Sequence, residues 1–163
     1  MKVEQLFTGC LAEMAYYIHS NGEAAIIDPL RETEPYITMA ENNGATIKYI
    51  FETHFHADFV SGHVDLANKT GAAIIYGPTA KTGYDAIIAT DNQEFKVGDV
   101  TIRVIHTPGH TQESSTFLLI DENGKEYLAK ADQKVELVTL LEDSYIETTP
   151  GRVFVNEVVP EVL

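Results

Sequence analysis

The sequence predicts a layered α/β protein built on a mixed sheet. Three observations carry that prediction. Apolar, β-branched runs alternate with stretches of rough helical periodicity. Turn signals such as Asn21-Gly22 and Asp121-Glu122-Asn123-Gly124 sit between some of those runs and add hairpins to a parallel arrangement. The 163 residues, 44% hydrophobic and 22% charged, are enough for one domain with a real core.

Taken in order, residues 3–7 and 11–19 read as strands separated by the Thr8-Gly9 break. Asn21-Gly22 turns the chain into a returning strand over 23–27, closed by Asp28-Pro29. An Asp in that place is read as a turn or cap residue. Residues 32–43 form a helix that admits Pro35 in its first turn and stops at Gly44. Residues 46–51 are a strand and 58–69 a second helix. A strand over 72–76 ends at Gly77-Pro78, and 82–90 is expected to be helical. Strands follow at 94–97, 100–105 and 116–120, and 125–129 pairs back onto the last of these. Nothing marks a domain boundary before about residue 133. The expected organisation is therefore a unit over 1–132, with 133–163 as a shortened or diverged C-terminal segment of the same domain.

Charge narrows the function. The formal net charge is −14, so no basic excess exists to neutralise nucleic-acid phosphates or an anionic membrane surface. An anionic small substrate stays open, because a bound metal inverts the local field. The lone cysteine, Cys10, excludes an intramolecular disulfide and points to a reducing compartment. No stretch resembles a signal peptide or reaches the ~20 apolar residues of a membrane span. The expected location is the cytoplasm.

Chemistry concentrates in two places. The first is Glu52-Thr53-His54-Phe55-His56-Ala57-Asp58-Phe59-Val60-Ser61-Gly62-His63, where a strand runs into three histidines and an aspartate. Side chains two residues apart share a face of an extended chain, so continued extension points His54, His56 and Asp58 one way. Imidazoles with a carboxylate suit zinc, iron or manganese. Taken singly, each histidine is an ordinary surface or core residue, Asp58 a helix N-cap, and His63 an exposed helix residue in preference to one that lines the pocket. Three of the six histidines within ten residues argue for a metal site. The second place is His106-Thr107-Pro108-Gly109-His110-Thr111. There a strand ends in a sharp loop that presents His110, while His106 reads as structural.

Together, Thr53-His54-Phe55-His56-Ala57-Asp58 and His106-Thr107-Pro108-Gly109-His110-Thr111 closely resemble the metallo-β-lactamase superfamily. The Ile27-Asp28-Pro29 strand end also has a counterpart there. The stretch from Glu52 to His63 looks more specifically like the persulfide dioxygenase branch, as in bacterial proteins that carry a lactamase-like domain, often with a rhodanese domain. The resemblance covers roughly residues 1 to 130. It implies an αββα sandwich with the site at one edge of two sheets. It also implies one Fe(II) per chain, held by His54, His110 and a carboxylate for which Asp132 is the candidate. The Thr-Gly that precedes this aspartate in the family is missing here. Phe59 stands where two-metal members carry a second-metal histidine, so a mononuclear site is implied, with Zn(II) the alternative ion. His56 and Asp58 then become catalytic groups that orient ligands or water. Gly151-Arg152 is too far along to be the family's Gly-Arg loop, and His110 is the last histidine, so the second half of the fold is expected to be shortened.

The leading functional expectation is a mononuclear iron-dependent sulfur dioxygenase acting on glutathione persulfide or a related small persulfide. The alternatives are a metal-dependent thioester hydrolase of the hydroxyacylglutathione type, and a shortened non-catalytic metal-binding module. The last predicts an exposed apolar patch where a second sheet should pack, hence a homo-oligomer or a partner chain such as a rhodanese.

Overall fold

The computed structural model describes residues 1–8 and 13–129, with three short strand segments beyond. The first sheet has six strands: β1 (Lys2–Thr8), β2 (Glu13–Ser20), β3 (Glu23–Ile27), β4 (Thr46–Glu52), β5 (Ala73–Tyr76) and β6 (Ile87–Ile88), in that spatial order. Strands β1 to β3 are antiparallel and β3 to β6 parallel. Asn21 and Gly22 both have positive φ, as a two-residue hairpin loop requires.

The second sheet is antiparallel. It contains β7 (Glu94–Val97), β8 (Val100–His106), β9 (Ser115–Ile120), β10 (Glu126–Ala129) and β11 (Val138–Thr139). A separate hairpin joins β12 (Glu147–Thr149) and β13 (Arg152–Phe154).

Alternation along the strands builds the core. Tyr16, Ile18, Ile27, Phe51 and Ile75 from the first sheet pack against Phe95, Val100, Ile102, Val104 and Phe117 from the second. Phe51 lies 4.9 Å from Phe117 and 5.6 Å from Phe95, ring centre to ring centre. The apolar face that the shortened-module reading leaves exposed is therefore covered by a second sheet.

On the opposite face of the first sheet, Tyr17, Ala24, Ile26, Ile47 and Ile50 pack against two helices. These are α1 (Glu34–Asn42), which offers Tyr36 and Ala40 at i, i+4 spacing, and α2 (His63–Thr70), which offers Leu66. The described layers are thus helices, sheet, sheet. No helix among the described residues is long and apolar enough to cross a membrane.

Two expected elements differ. The helix expected over 58–69 begins only at His63, because the preceding residues are held against the β3–α1 loop. Ser61 pairs with Leu30, the Ser61 hydroxyl lies 3.0 Å from Pro29 O and 2.8 Å from Glu52 Oε1 and donates its one proton to this pair of acceptors, and Gly62 N donates to Pro29 O. Asp58 therefore lies outside α2 and is not its N-cap. The helix expected over 82–90 is absent. Ile87 and Ile88 instead add a parallel edge strand beside Ile75 and Tyr76, which suits β-branched residues.

The sheets come together where β4 and β5 end. Thr53 O accepts from Ser115 N (2.8 Å) at the start of β9. A Cβ on Gly77 would lie 1.8 Å from Ser115 Oγ, so only glycine allows this approach.

Candidate metal centre

Strand β4 ends at Glu52, and the chain then leaves the sheet carrying the first motif. Asp28, at the end of β3, fixes its exit. Asp28 has φ +48° and is 1% exposed. Thr53 N donates to Asp28 Oδ1 and Thr53 Oγ1 to Oδ2, both at 2.8 Å. The Thr53 hydroxyl has one proton, and it goes to Asp28. Toward His54 Nδ1, 2.9 Å away, the hydroxyl is therefore the acceptor. Nδ1 then carries the His54 proton, and Nε2 keeps the lone pair that can bind a metal.

His56 is anchored in a similar way. Its side chain is 4% exposed, with Nε2 3.1 Å from Asp28 Oδ1 and 3.9 Å from Glu52 Oε2. Its other nitrogen, Nδ1, lies 3.9 Å from Asp58 Oδ1 on the solvent side. The His54 and His56 rings are 4.1 Å apart. Glu52, 1% exposed, accepts from Ser61 Oγ and lies 3.6 Å from His63 Nδ1. Two buried carboxylates so close together are tolerable because hydroxyl, amide and imidazole groups surround them.

The second motif meets the first across the sandwich edge. His110, exposed on the loop between β8 and β9, brings its ring within 4.8 Å of His54, edge on. The loop is closed by Thr107 N to Ser114 O and Gly109 N to Thr111 O. His106 donates through Nε2 to Gln112 O (2.8 Å), within the same loop. Glu113 reaches back to the first motif, accepting from Phe55 N at 3.1 Å. Burial pushes its carboxyl up, but the Phe55 amide, its own amide, the Thr111 hydroxyl and the nearby His54 outweigh that and hold it below the usual range.

The structure thus brings His54, His56 and His110 together. Asp58 does not share their face as continued extension would require: its side chain is 65% exposed, because the strand ends at Glu52. Phe59 stacks on His56 at 4.3 Å. Asp132 lies outside the described residues. His63, expected to be an exposed helix residue, is mostly buried. Its Nε2 hydrogen-bonds the Tyr84 hydroxyl at 2.7 Å, and burial, then the nearby His56, push its pKa down. Asp28, Glu52 and Glu113 escaped the sequence reading. A charged residue closing the apolar β4 was the available signal for Glu52. Asp28 and Glu113 act on residues far along the chain, which no local pattern reveals.

Converging imidazoles beside carboxylates fit a borderline or hard divalent ion. Among the described residues, the group of three whose ligand atoms all lie within 4.8 Å of one another is Asp28, Glu52 and His56, whereas His54 meets His56 and His110 through ring contacts. Since both Asp28 oxygens already accept hydrogen bonds from Thr53, we read that inner group as the support for His56.

The model of the metallo-beta-lactamase superfamily matches residues 8–123, a span that holds both histidine motifs. Among curated relatives, hydroxyacylglutathione hydrolase from Rhizobium etli is 37% identical over 105 residues, covering 62% of this chain and 40% of that protein. The cytoplasmic hydroxyacylglutathione hydrolase of Arabidopsis thaliana is 31% identical over 122 residues, covering 72% and 46%. Among solved structures, a metallo-beta-lactamase from Staphylococcus aureus aligns with TM-score 0.70 and 38% identity, over 76% of this chain and 39% of that one. ETHE1 from Myxococcus xanthus aligns with TM-score 0.68 and 28% identity, over 73% and 54%. The chain thus matches about half or less of the length of these relatives. Two histidine loops meeting at the edge of a β-sandwich, in a chain matched over most of its length by the family model, make this protein a member of the metallo-beta-lactamase superfamily.

Proposed function

We propose that this chain provides the metal-binding half of a hydrolase acting on a glutathione thioester of the hydroxyacylglutathione type. The observation that carries the reading is that the His54 ring lies against both His56 and His110, from the two different loops, with His54 and His56 backed by Asp28. The likeness to hydroxyacylglutathione hydrolases over this half supports the substrate class. His54 and His110 would hold a single metal ion, and His56, its ring against that of His54, would support them. Asp132, outside the described residues, is the carboxylate candidate to complete the set. A bound ion would supply Lewis acidity toward the thioester carbonyl and toward water. Asp58, exposed beside His56, would take a proton from the attacking water. As the water oxygen bonds to the acyl carbon and the carbon–sulfur bond breaks, that proton would pass from Asp58 to the departing thiolate.

Phe59 favours a second reading. With no imidazole at that position, a two-metal centre lacks a ligand, and a one-metal sulfur dioxygenase using Fe(II) remains a specific alternative. One comparison separates the two. The purified chain, loaded with Zn(II) or with Fe(II) under exclusion of air, is assayed for hydrolysis of a lactoylglutathione-type thioester and for oxygen uptake with glutathione persulfide. Thioester cleavage without oxygen uptake is expected. Oxygen uptake by the iron form alone selects the dioxygenase, and neither activity removes both readings for this chain.

A further inference from the structure

We infer that Glu113 is a positioning residue that fixes the separation of the His54 and His110 loops and thereby sets the metal affinity of the site. This rests on the reading of His54 and His110 as ligands. The two loops come from different sheets, so nothing in either sheet's own hydrogen bonding fixes the distance between them. Besides the ring contact of His54 with His110, two hydrogen bonds among the described residues bridge the gap. Thr53 O accepts from Ser115 N, and Glu113 Oε1 accepts from Phe55 N. The second is the one nearer the mouth: Phe55 lies between His54 and His56, and Glu113 follows His110 by three residues.

Glu113 is itself held. It is 9% exposed, and its carbonyl accepts from Ser115 Oγ at 3.1 Å. Ser115 in turn is packed against Gly77, where no Cβ fits. The carboxylate is therefore presented from a rigid base, and its bond to an amide has the charge-assisted strength that an ionised acceptor gives. Phe55 is fixed on its other side by its ring, 4.8 Å from Tyr76. A carboxylate reaching 58 residues back along the sequence to this one amide fits a latch between ligand loops.

The test uses the full chain and Zn(II), with affinity measured by competition with a chromophoric chelator. Glu113→Gln keeps a carbonyl that can accept from Phe55 N. Glu113→Asp keeps the charge but is one methylene too short to reach. Glu113→Ala loses both. The Asp and Ala variants are expected to bind zinc about 10- to 100-fold more weakly, as for other groups that orient ligands, while Gln stays close to the wild type. In the metal-free chain, amide exchange over residues 53–57 and 107–114 should rise in Asp and Ala and not in Gln. Wild-type affinity and exchange in all three variants would overturn the latch, and so would weak binding by Gln with strong binding by Asp. A wild-type chain that binds no zinc would instead overturn the ligand assignment, and the exchange measurement would still decide the latch.

Discussion

The two arms of the site are built in opposite ways. The His54–His56 arm leaves a central strand, and its imidazoles are held from behind by Asp28 and Thr53 in a region almost closed to water. The His110 arm is an exposed loop closed by its own turns and tied to the first arm through Glu113. The first is part of the fold's core, while the second is laid across it. Ligand geometry on the first arm is therefore coupled to folding stability, and ligand geometry on the second is nearly independent of it.

The largest effect that would break this contrast is at Asp28. Asp28→Ala leaves Thr53 N and Thr53 Oγ1 without their common acceptor, removes the carboxylate 3.1 Å from His56 Nε2, and puts alanine at φ +48°. Loss of one partner from a buried charged network costs about 3–5 kcal/mol. Urea unfolding of the metal-free chain should show a loss of that order, with a smaller loss for Asp28→Asn, which tolerates the backbone and keeps one acceptor. An unchanged midpoint for Asp28→Ala would mean that the first arm is not anchored in the core.

A sharper contrast comes from the histidines. His54→Ala and His110→Ala should each abolish zinc binding in the chelator competition. They should part company in stability. His54 is 4% exposed and bonded to Thr53, so its removal opens a buried space; His110 is exposed, and its removal should change stability by no more than about 0.5 kcal/mol. Equal stability losses would erase the distinction between the arms.

Much of this was legible in the sequence because it is local. The Asn21-Gly22 hairpin, the apolar run of β4 and the crowding of histidines are all short-range signals, and the two motifs carried the family. What could not be read depends on contacts between distant residues. Asp28-Pro29 looks like a turn, and the positive φ of Asp28 agrees, yet its side chain serves residues 25 positions later. The start of α2 is set by Ser61 bonding to Glu52 and Pro29, not by periodicity. The alternation rule failed at Asp58 because it presumes an extended chain and β4 stops at Glu52.

The smallest effect concerns His63, which backs the first arm through Glu52. Burial lowers its pKa in the folded chain below the ordinary value of 6.5, so its neutral form is the one that fits. Between the folded value and 6.5 the unfolded chain binds more protons. Stability from this group is therefore complete above 6.5 and falls as the pH drops from 6.5 toward the folded value. The Tyr84 hydroxyl at Nε2 and the Glu52 carboxylate at 3.6 Å face this ring, along with His56 and Asp28 behind Glu52. In the metal-free chain, His63→Gln should flatten the stability profile just below pH 6.5 relative to the wild type. A His63→Gln profile that runs parallel to the wild type would separate His63 from the buried support of the first arm.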